Sequence, residues 1–269
     1  MARFDSILLV GCGNMAGAML QGWLAAGLDA ERFTVADPAQ RDLPAGVSKL
    51  AAVPAAGRFD VILLGVKPQL LAEVAPHVAP LAQSGTVVLS ILAGVELAVL
   101  EARFPDARGL VRMMPNLAAA LGKSPMALAE RGLEQGDRTA IVELLAPLGT
   151  PEWIGEEEFD LVTALAGSGP AFVYRFIDAL GEAATGLGLA EDQARRLALA
   201  TVEGAAALAA SSPHDPAELA RRVASPGGTT QAGLEALDEG AWLPALLKKT
   251  LRAARDRSAE MAAEARREG

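Results

Sequence analysis

The first half of the chain alternates between short aliphatic runs and longer amphipathic stretches. Ile7 to Val10 reads as a strand buried on both faces. From Asn14 the apolar positions fall at helical spacing instead, with Met15, Ala18, Met19, Gly22, Trp23 and Ala26 on one stripe. The alternation continues with strands at about 32–36, 60–65, 86–91, 108–113, 126–129 and 152–154, and helices at about 69–81, 95–104 and 134–148. Residues 39–57, rich in Ala and Pro, show no period. Strands alternating with helices predict an α/β fold built on a doubly wound parallel sheet of Rossmann type. After Gly155 no strand pattern remains. Ala/Leu-rich helical segments follow at about 157–166, 170–187, 190–211, 215–223, 230–239 and 241–265, punctuated by Gly-Ser-Gly-Pro at 167–170, Gly186, Gly188 and Ser211-Ser212-Pro213. The pattern therefore divides the chain into an α/β domain, 1–154, and an all-α domain, 155–269. The helices of the second are more apolar than a small monomer needs, which points to subunit packing.

Composition then removes whole classes of function. Hydrophobic residues make up 51% and aromatics only 4%, so the core is built from Ala, Leu and Val. A net charge of −9 argues against a nucleic-acid surface, which would need a basic patch. The arginines near the C-terminus are interleaved with acids, as on a solvated helix face. No apolar run reaches the ~18 residues of a membrane span. Met1 to Asp5 leads directly into the first strand, leaving no room for a signal peptide. Cys12 is the single cysteine, so no intrachain disulfide forms and a cytoplasmic protein is the simpler expectation. No His/Cys/Asp cluster has metal-ligand spacing, so no metal is expected. His77 and His214 read as surface residues, Trp153 and Trp242 as packing.

The chemistry starts at Gly11-Cys12-Gly13-Asn14-Met15-Ala16, a G-x-G-x-x-A turn between the first strand and the first helix. Gly11 permits the tight turn. Gly13 lets the backbone approach a pyrophosphate seated on the helix N-terminus, and Ala16 is the small residue where helix and strand pack closely. Such a turn has a purely structural reading too, but the flanking strand and helix favour a dinucleotide site. Cys12 is a small spacer there rather than a nucleophile. Asp37, at the end of the second strand, stands where a carboxylate accepts hydrogen bonds from the adenosine ribose; it repels a 2′-phosphate and mildly favours NADH over NADPH. Its plainer reading is a turn with Pro38, and Arg41 is close enough in sequence to meet a phosphate. Lys67, after the third strand, lies at the edge that faces the ligand crevice. Asn116 either hydrogen-bonds nicotinamide or shapes its loop.

In the helical half, Ser225-Pro226-Gly227-Gly228-Thr229-Thr230 links two helices. Adjacent glycines expose consecutive backbone N–H groups, and Thr229 and Thr230 open a helix whose positive dipole end faces the loop. This makes a carboxylate site with hydroxyls beside it, or, more plainly, a glycine-rich helix start.

With these stretches in order, the chain resembles the pyrroline-5-carboxylate reductase family over nearly its whole length. The resemblance rests on Gly11 to Ala16, Val66-Lys67-Pro68, Met114-Pro115-Asn116, Ala166 to Pro170, and Ser225 to Thr230. It implies a first domain that binds NADPH or NADH and a helical domain that forms an interlocked homodimer, with dimers assembling further, up to decamers. The active site would lie between the cofactor domain and the helical loops near the dimer interface. Carried over by position, Thr230 matches the threonine that hydrogen-bonds the ring nitrogen of 1-pyrroline-5-carboxylate. Ser225, Gly228 and Thr229 match the loop that holds the substrate carboxylate, and Glu156 falls where the family places a substrate-contacting acid. Val10, Gly11, Cys12, Gly13, Asn14, Met15, Val66, Lys67 and Ala93 match cofactor contacts. Two departures touch the adenosine side: Asp37 stands where many members carry Ser or Arg, and Ala51-Ala52 where many carry Asn. The expected reaction is hydride transfer to the imine carbon, giving L-proline. The alternatives are a hydroxyacid dehydrogenase, another imine reductase of the same two-domain plan, or a non-catalytic NAD(P)-binding regulatory protein. The first commonly carries a lysine on the helix after the cofactor domain, and the stretch 170–187 has none.

Overall fold

The computed structural model describes residues 4–39 and 42–268, the side chains of 265–268 excepted; Arg41 lies outside them. The chain forms two compact units, Met1–Gly167 together with Ala253–Gly269, and Ser168–Arg252.

The first unit is built on an eight-stranded sheet. Its strands are β1 (Ile7–Val10), β2 (Phe33–Ala36), β3 (Ser48–Leu50), β4 (Val61–Leu64), β5 (Val87–Ser90), β6 (Gly109–Met114), β7 (Ser124–Arg131) and β8 (Gly149–Trp153), in the order 3-2-1-4-5-6-7-8. β1, β4 and β5 are fully buried and aliphatic but for Ser90, as expected of parallel strands covered on both faces. Alternation splits their side chains between two cores. Ile7 and Leu9 pack with α1 (Asn14–Ala25) and α4 (Gln135–Leu145), among Met19, Trp23, Ile141 and Leu144. Leu8 and Val10 pack with α2 (Leu71–Val78) and α3 (Leu97–Arg103), among Ala75, Val78, Leu97 and Leu100. The indole Nε1–H of Trp23 donates to the Leu144 carbonyl at 2.7 Å, tying α1 to α4.

The sheet departs from the expected all-parallel arrangement at its far edge. β7 runs antiparallel to β6, and β8 parallel to β7. The connection from β6 to β7 holds only a short 3₁₀ turn, Leu117–Leu121, and a parallel return needs a crossover of a dozen or more residues. β3, inside the stretch read as irregular, is an exposed edge strand of three residues.

By packing, the first unit runs on to Gly167, beyond the expected domain boundary at 154/155. Residues 156–167 pack on the sheet rather than with the helices that follow. Phe159, in the short helix α5 (Phe159–Val162), is buried in the second core, and the Arg112 guanidinium of β6 lies 3.9 Å over its ring. Thr163–Gly167 then forms one turn of π-helix, whose Ala166 carbonyl accepts from Asn116 Nδ2 at 2.9 Å.

The second unit holds α6 (Gly169–Gly186), α7 (Glu191–Ser211), α8 (Pro216–Val223), α9 (Thr229–Asp238) and the start of α10 (Trp242–Glu268). α6 and α7 meet through small residues: a Cβ on Gly181 would lie 3.7 Å from the Arg195 Cα, and Ala194 and Ala198 are buried. Most larger apolar side chains of this unit are exposed in the single chain, Tyr174, Phe176, Leu199 and Leu208 among them. The end of α10 belongs to the first unit. Ser258 Oγ donates to Asp160 at 2.7 Å, and the Met261 carbonyl passes 3.3 Å from where a Cβ on Gly94 would stand. No helix among the described residues is long and apolar enough to cross a membrane.

Candidate active site

The turn after β1 is shaped by close contact with the turn after β4. Gly11 has φ +83, and a Cβ on it would stand 2.8 Å from Val66 Cγ1 and 2.9 Å from the Val66 nitrogen. A Cβ on Gly65 would meet the Gly11 carbonyl at 2.7 Å and the Ala16 Cβ at 2.8 Å. Glycine is thus required at 11 for conformation and room, and small residues at 16 and 65 for packing. At Gly13 nothing lies within 4 Å of the Cβ position. Gly13 is the N-cap of α1, with no side chain capping it and no acid in the first turn. The result is a helix N-terminus with open space before it, which suits a bound pyrophosphate.

A cleft of about 800 Å³ opens at this point. Six of the expected cofactor residues line it together: Val10, Gly11, Gly13, Asp37, Val66 and Lys67. Cys12 points the other way, with its side chain buried in the α1 core, while its N–H donates to Asp37 Oδ2 at 2.6 Å. Asp37 Oδ1 accepts from the Ala39 N–H at 2.8 Å. Two backbone donors therefore fix this carboxylate at the end of β2. Asn14, exposed, and Met15, half-buried, begin α1. Ala93 lies apart, in a neighbouring cavity with Pro68, Gln69 and Gly94.

The cleft is also lined by residues to which the sequence alone assigns no cofactor role: Ala36, Pro38 and Val53, and Leu70, Glu73, Val74 and His77 from α2 and the turn before it, His77 being exposed as expected. The signal was present as spacing, since 70, 73, 74 and 77 share one helical stripe.

Asn116 shapes its loop. Its Oδ1 accepts from the Ala118 N–H, its Nδ2 holds Ala166, and its own N–H donates to Ser124 Oγ, each at 2.9 Å. Glu156 is likewise engaged within the first unit. Its Oε1 accepts from the Leu97 N–H at the start of α3 at 2.7 Å and from Arg112 Nη1 at 3.3 Å. Arg112 is 5% exposed in its side chain, and its Nε has no partner among the described residues. Burial pulls the Arg112 guanidinium below the ordinary arginine value, while Glu156, Asp160 and Glu96 act against that pull.

Within the second unit, Ser225–Thr230 folds into a tight bend before α9. The Gly228 N–H donates to the Ser225 carbonyl at 2.9 Å, and Gly227 has φ +67, a conformation that favours glycine. Gly228 is the N-cap of α9, without a side-chain cap. Thr229 and Thr230 are exposed in its first turn. The Gly227 N–H donates to Gln231 Oε1 at 2.9 Å, so the bend already holds an oxygen acceptor of the kind a carboxylate offers. Ser225, Gly228, Thr229 and Thr230 thus sit together on one bend.

Comparison with known proteins agrees with both units. A family model described as pyrroline-5-carboxylate reductase dimerisation matches residues 156–261, and one described as NADP oxidoreductase, coenzyme F420-dependent, matches residues 6–94. A pyrroline-5-carboxylate reductase of Pseudomonas aeruginosa is 38% identical over 264 residues, 95% of this chain and 96% of that protein. The Aquifex aeolicus protein of the same name is 43% identical over 185 residues, 68% of this chain and 69% of its own. The solved structure of a pyrroline-5-carboxylate reductase from Coxiella burnetii superposes with a TM-score of 0.86 at 29% identity, covering 96% of this chain and 98% of that one. The chain belongs to the pyrroline-5-carboxylate reductase family.

Proposed function

We propose that this protein reduces 1-pyrroline-5-carboxylate to L-proline with NADH or NADPH. The observation that carries the reading is the pairing, in one chain, of the glycine turn and its cleft with the Ser225–Thr230 bend, in a family whose named members are pyrroline-5-carboxylate reductases. The bound nicotinamide supplies the hydride that reduces the imine carbon. The chain's own residues do the rest. The uncapped N-terminus of α1 takes the pyrophosphate, and Val10, Gly11, Gly13, Val66 and Lys67 enclose the dinucleotide. Asn14, Met15 and the Cys12 backbone complete the turn, and Ala93 contacts the cofactor from its own turn. Asp37, held by the Cys12 and Ala39 amides, accepts from the ribose hydroxyls and tilts the choice mildly toward NADH.

The amides around Gly228 and the hydroxyls of Ser225 and Thr229 hold the substrate carboxylate, and Thr230 orients the ring nitrogen. Once the carbon has received hydride, the nitrogen must carry one proton more than the neutral imine. A threonine hydroxyl is a weak acid, so Thr230 relays or orients that proton, and the substrate iminium or water is its source. Much of the acceleration then comes from holding two reactants in register. Glu156 contacts substrate only in addition to its bonds with Leu97 and Arg112. The exposed apolar faces of α6 and α7 pack in a homodimer, and dimers assemble further, up to decamers. The cytoplasm is the compartment. Relatives across the full length leave little to favour another dehydrogenase or a non-catalytic nucleotide-binding protein.

The test is a spectrophotometric assay with the cyclic imine and each nicotinamide cofactor. Turnover that also requires the substrate carboxylate supports the reading. Cofactor binding without turnover, or equal rates on a ring lacking the carboxylate, overturns it.

A further inference from the structure

The cofactor cleft that Asp37 lines carries a second acid, Glu73. Core packing fixes the rotation of α2, because Leu71, Ala75 and Val78 are buried against the sheet. The neighbouring stripe, Leu70, Glu73, Val74 and His77, is thereby turned to the cleft. Glu73 is exposed, and among the described residues nothing bonds or pairs with it. Lys67 is the only lysine or arginine among the described residues lining the cleft, against the two carboxylates Asp37 and Glu73. Ala51 and Ala52 line the same cleft and offer no side-chain donor.

We propose that Glu73 is a second determinant of cofactor choice: from α2 it joins Asp37 in making the adenosine end of the cleft acidic and so discriminates against a 2′-phosphate. A ribose 2′-hydroxyl donates to a carboxylate and brings no charge. A 2′-phosphate brings nearly two negative charges into a cleft whose described lining holds two acids, one lysine and His77. Asp37 acts by hydrogen bond and charge together. Glu73 acts by charge alone, across solvent, so its effect is modest and salt-sensitive. The proposal rests on reading this cleft as the cofactor site.

The experiment measures binding of 2′,5′-ADP and 5′-AMP by calorimetry to the intact protein and to the Glu73→Gln and Glu73→Lys variants. The expected result is a drop in the ratio of the two dissociation constants, 2′,5′-ADP over 5′-AMP, of about threefold for Glu73→Gln and more for Glu73→Lys, as for a screened surface charge. The drop should shrink in about 0.5 M salt, where the screening length is only a few ångströms. The ratio of kcat/KM for NADPH over NADH should rise in parallel. An unchanged ratio in both variants, or a change indifferent to salt, overturns the role of Glu73. If the unaltered protein binds neither nucleotide, it is the cofactor reading of the cleft that fails, and the proposal falls with it.

Discussion

Single residues divide here by whether their polar atoms are already engaged. Thr230 is exposed at the start of α9, so its hydroxyl is available to a substrate. Thr230→Ala is expected to lower kcat about 10- to 100-fold, the range of one hydrogen bond to a charged group, while KM for the cofactor stays near its original value. Thr230→Ser should recover most of the rate, and steady-state kinetics of the two variants decides it. Glu156 is the opposite case. Its carboxylate holds the first amide of α3 and is the counter-charge of the buried Arg112. Glu156→Gln is expected to destabilise the protein by about 2 kcal/mol, because it weakens the only ion pair that a buried guanidinium makes among the described residues; the cost sits at the low end because Glu156 is 29% exposed. Urea unfolding measures this. A loss of stability with KM for the imine unchanged assigns Glu156 to structure, and a raised KM with full stability assigns it to substrate.

At the scale of elements, one tight joint is where α1 crosses the turn after β6. A Cβ on Gly22 would stand 2.1 Å from the Ala119 carbonyl and 2.7 Å from Leu148 Cδ2. Gly22→Ala is therefore expected to cost roughly 2–3 kcal/mol through forced displacement of backbone, seen as a lower midpoint in urea with catalytic constants little changed in the folded fraction. How far such elements are legible in sequence depends on what dictates them. β1, β4 and β5 are dictated by local aliphatic runs, and α1 by its stripe, so pattern alone finds them. β3 owes its existence to pairing with β2, which three largely exposed residues do not announce. The reversal of β7 follows from the length of a connection, which composition does not mark. The π turn at 163–167 is invisible to a 3.6-residue period. Among the candidate site residues, the glycine turn and the Ser225–Thr230 bend are legible because backbone demands leave glycine as a trace. Glu73 is not, because an acid on a helix looks like any solvated face until the core fixes which way the helix is turned.

For the whole molecule, the helical unit is the part that a single chain leaves unfinished. Leu187 is 91% exposed, Tyr174 69% and Phe176 51%, and apolar surface of this extent marks an interface. Phe176→Glu is expected to shift the protein from dimer or larger assembly to monomer, read by light scattering, because a carboxylate opposed to apolar side chains must be desolvated without a partner. Activity should fall with the loss of assembly. Retention of the full oligomer by Phe176→Glu would place the interface elsewhere.

The return of α10 to the first unit makes the helical unit an excursion: the chain departs at Gly167 and comes home at Ala253. The backbone of this closing segment lies against Gly94, beside the Ala93 turn, and its Ser258 is moored to Asp160. Clipping the polypeptide anywhere before residue 253 would therefore do more than shorten it. It would uncover the turn at Gly94 and leave Asp160 without its Ser258 partner, so damage at one terminus would be felt within the first unit.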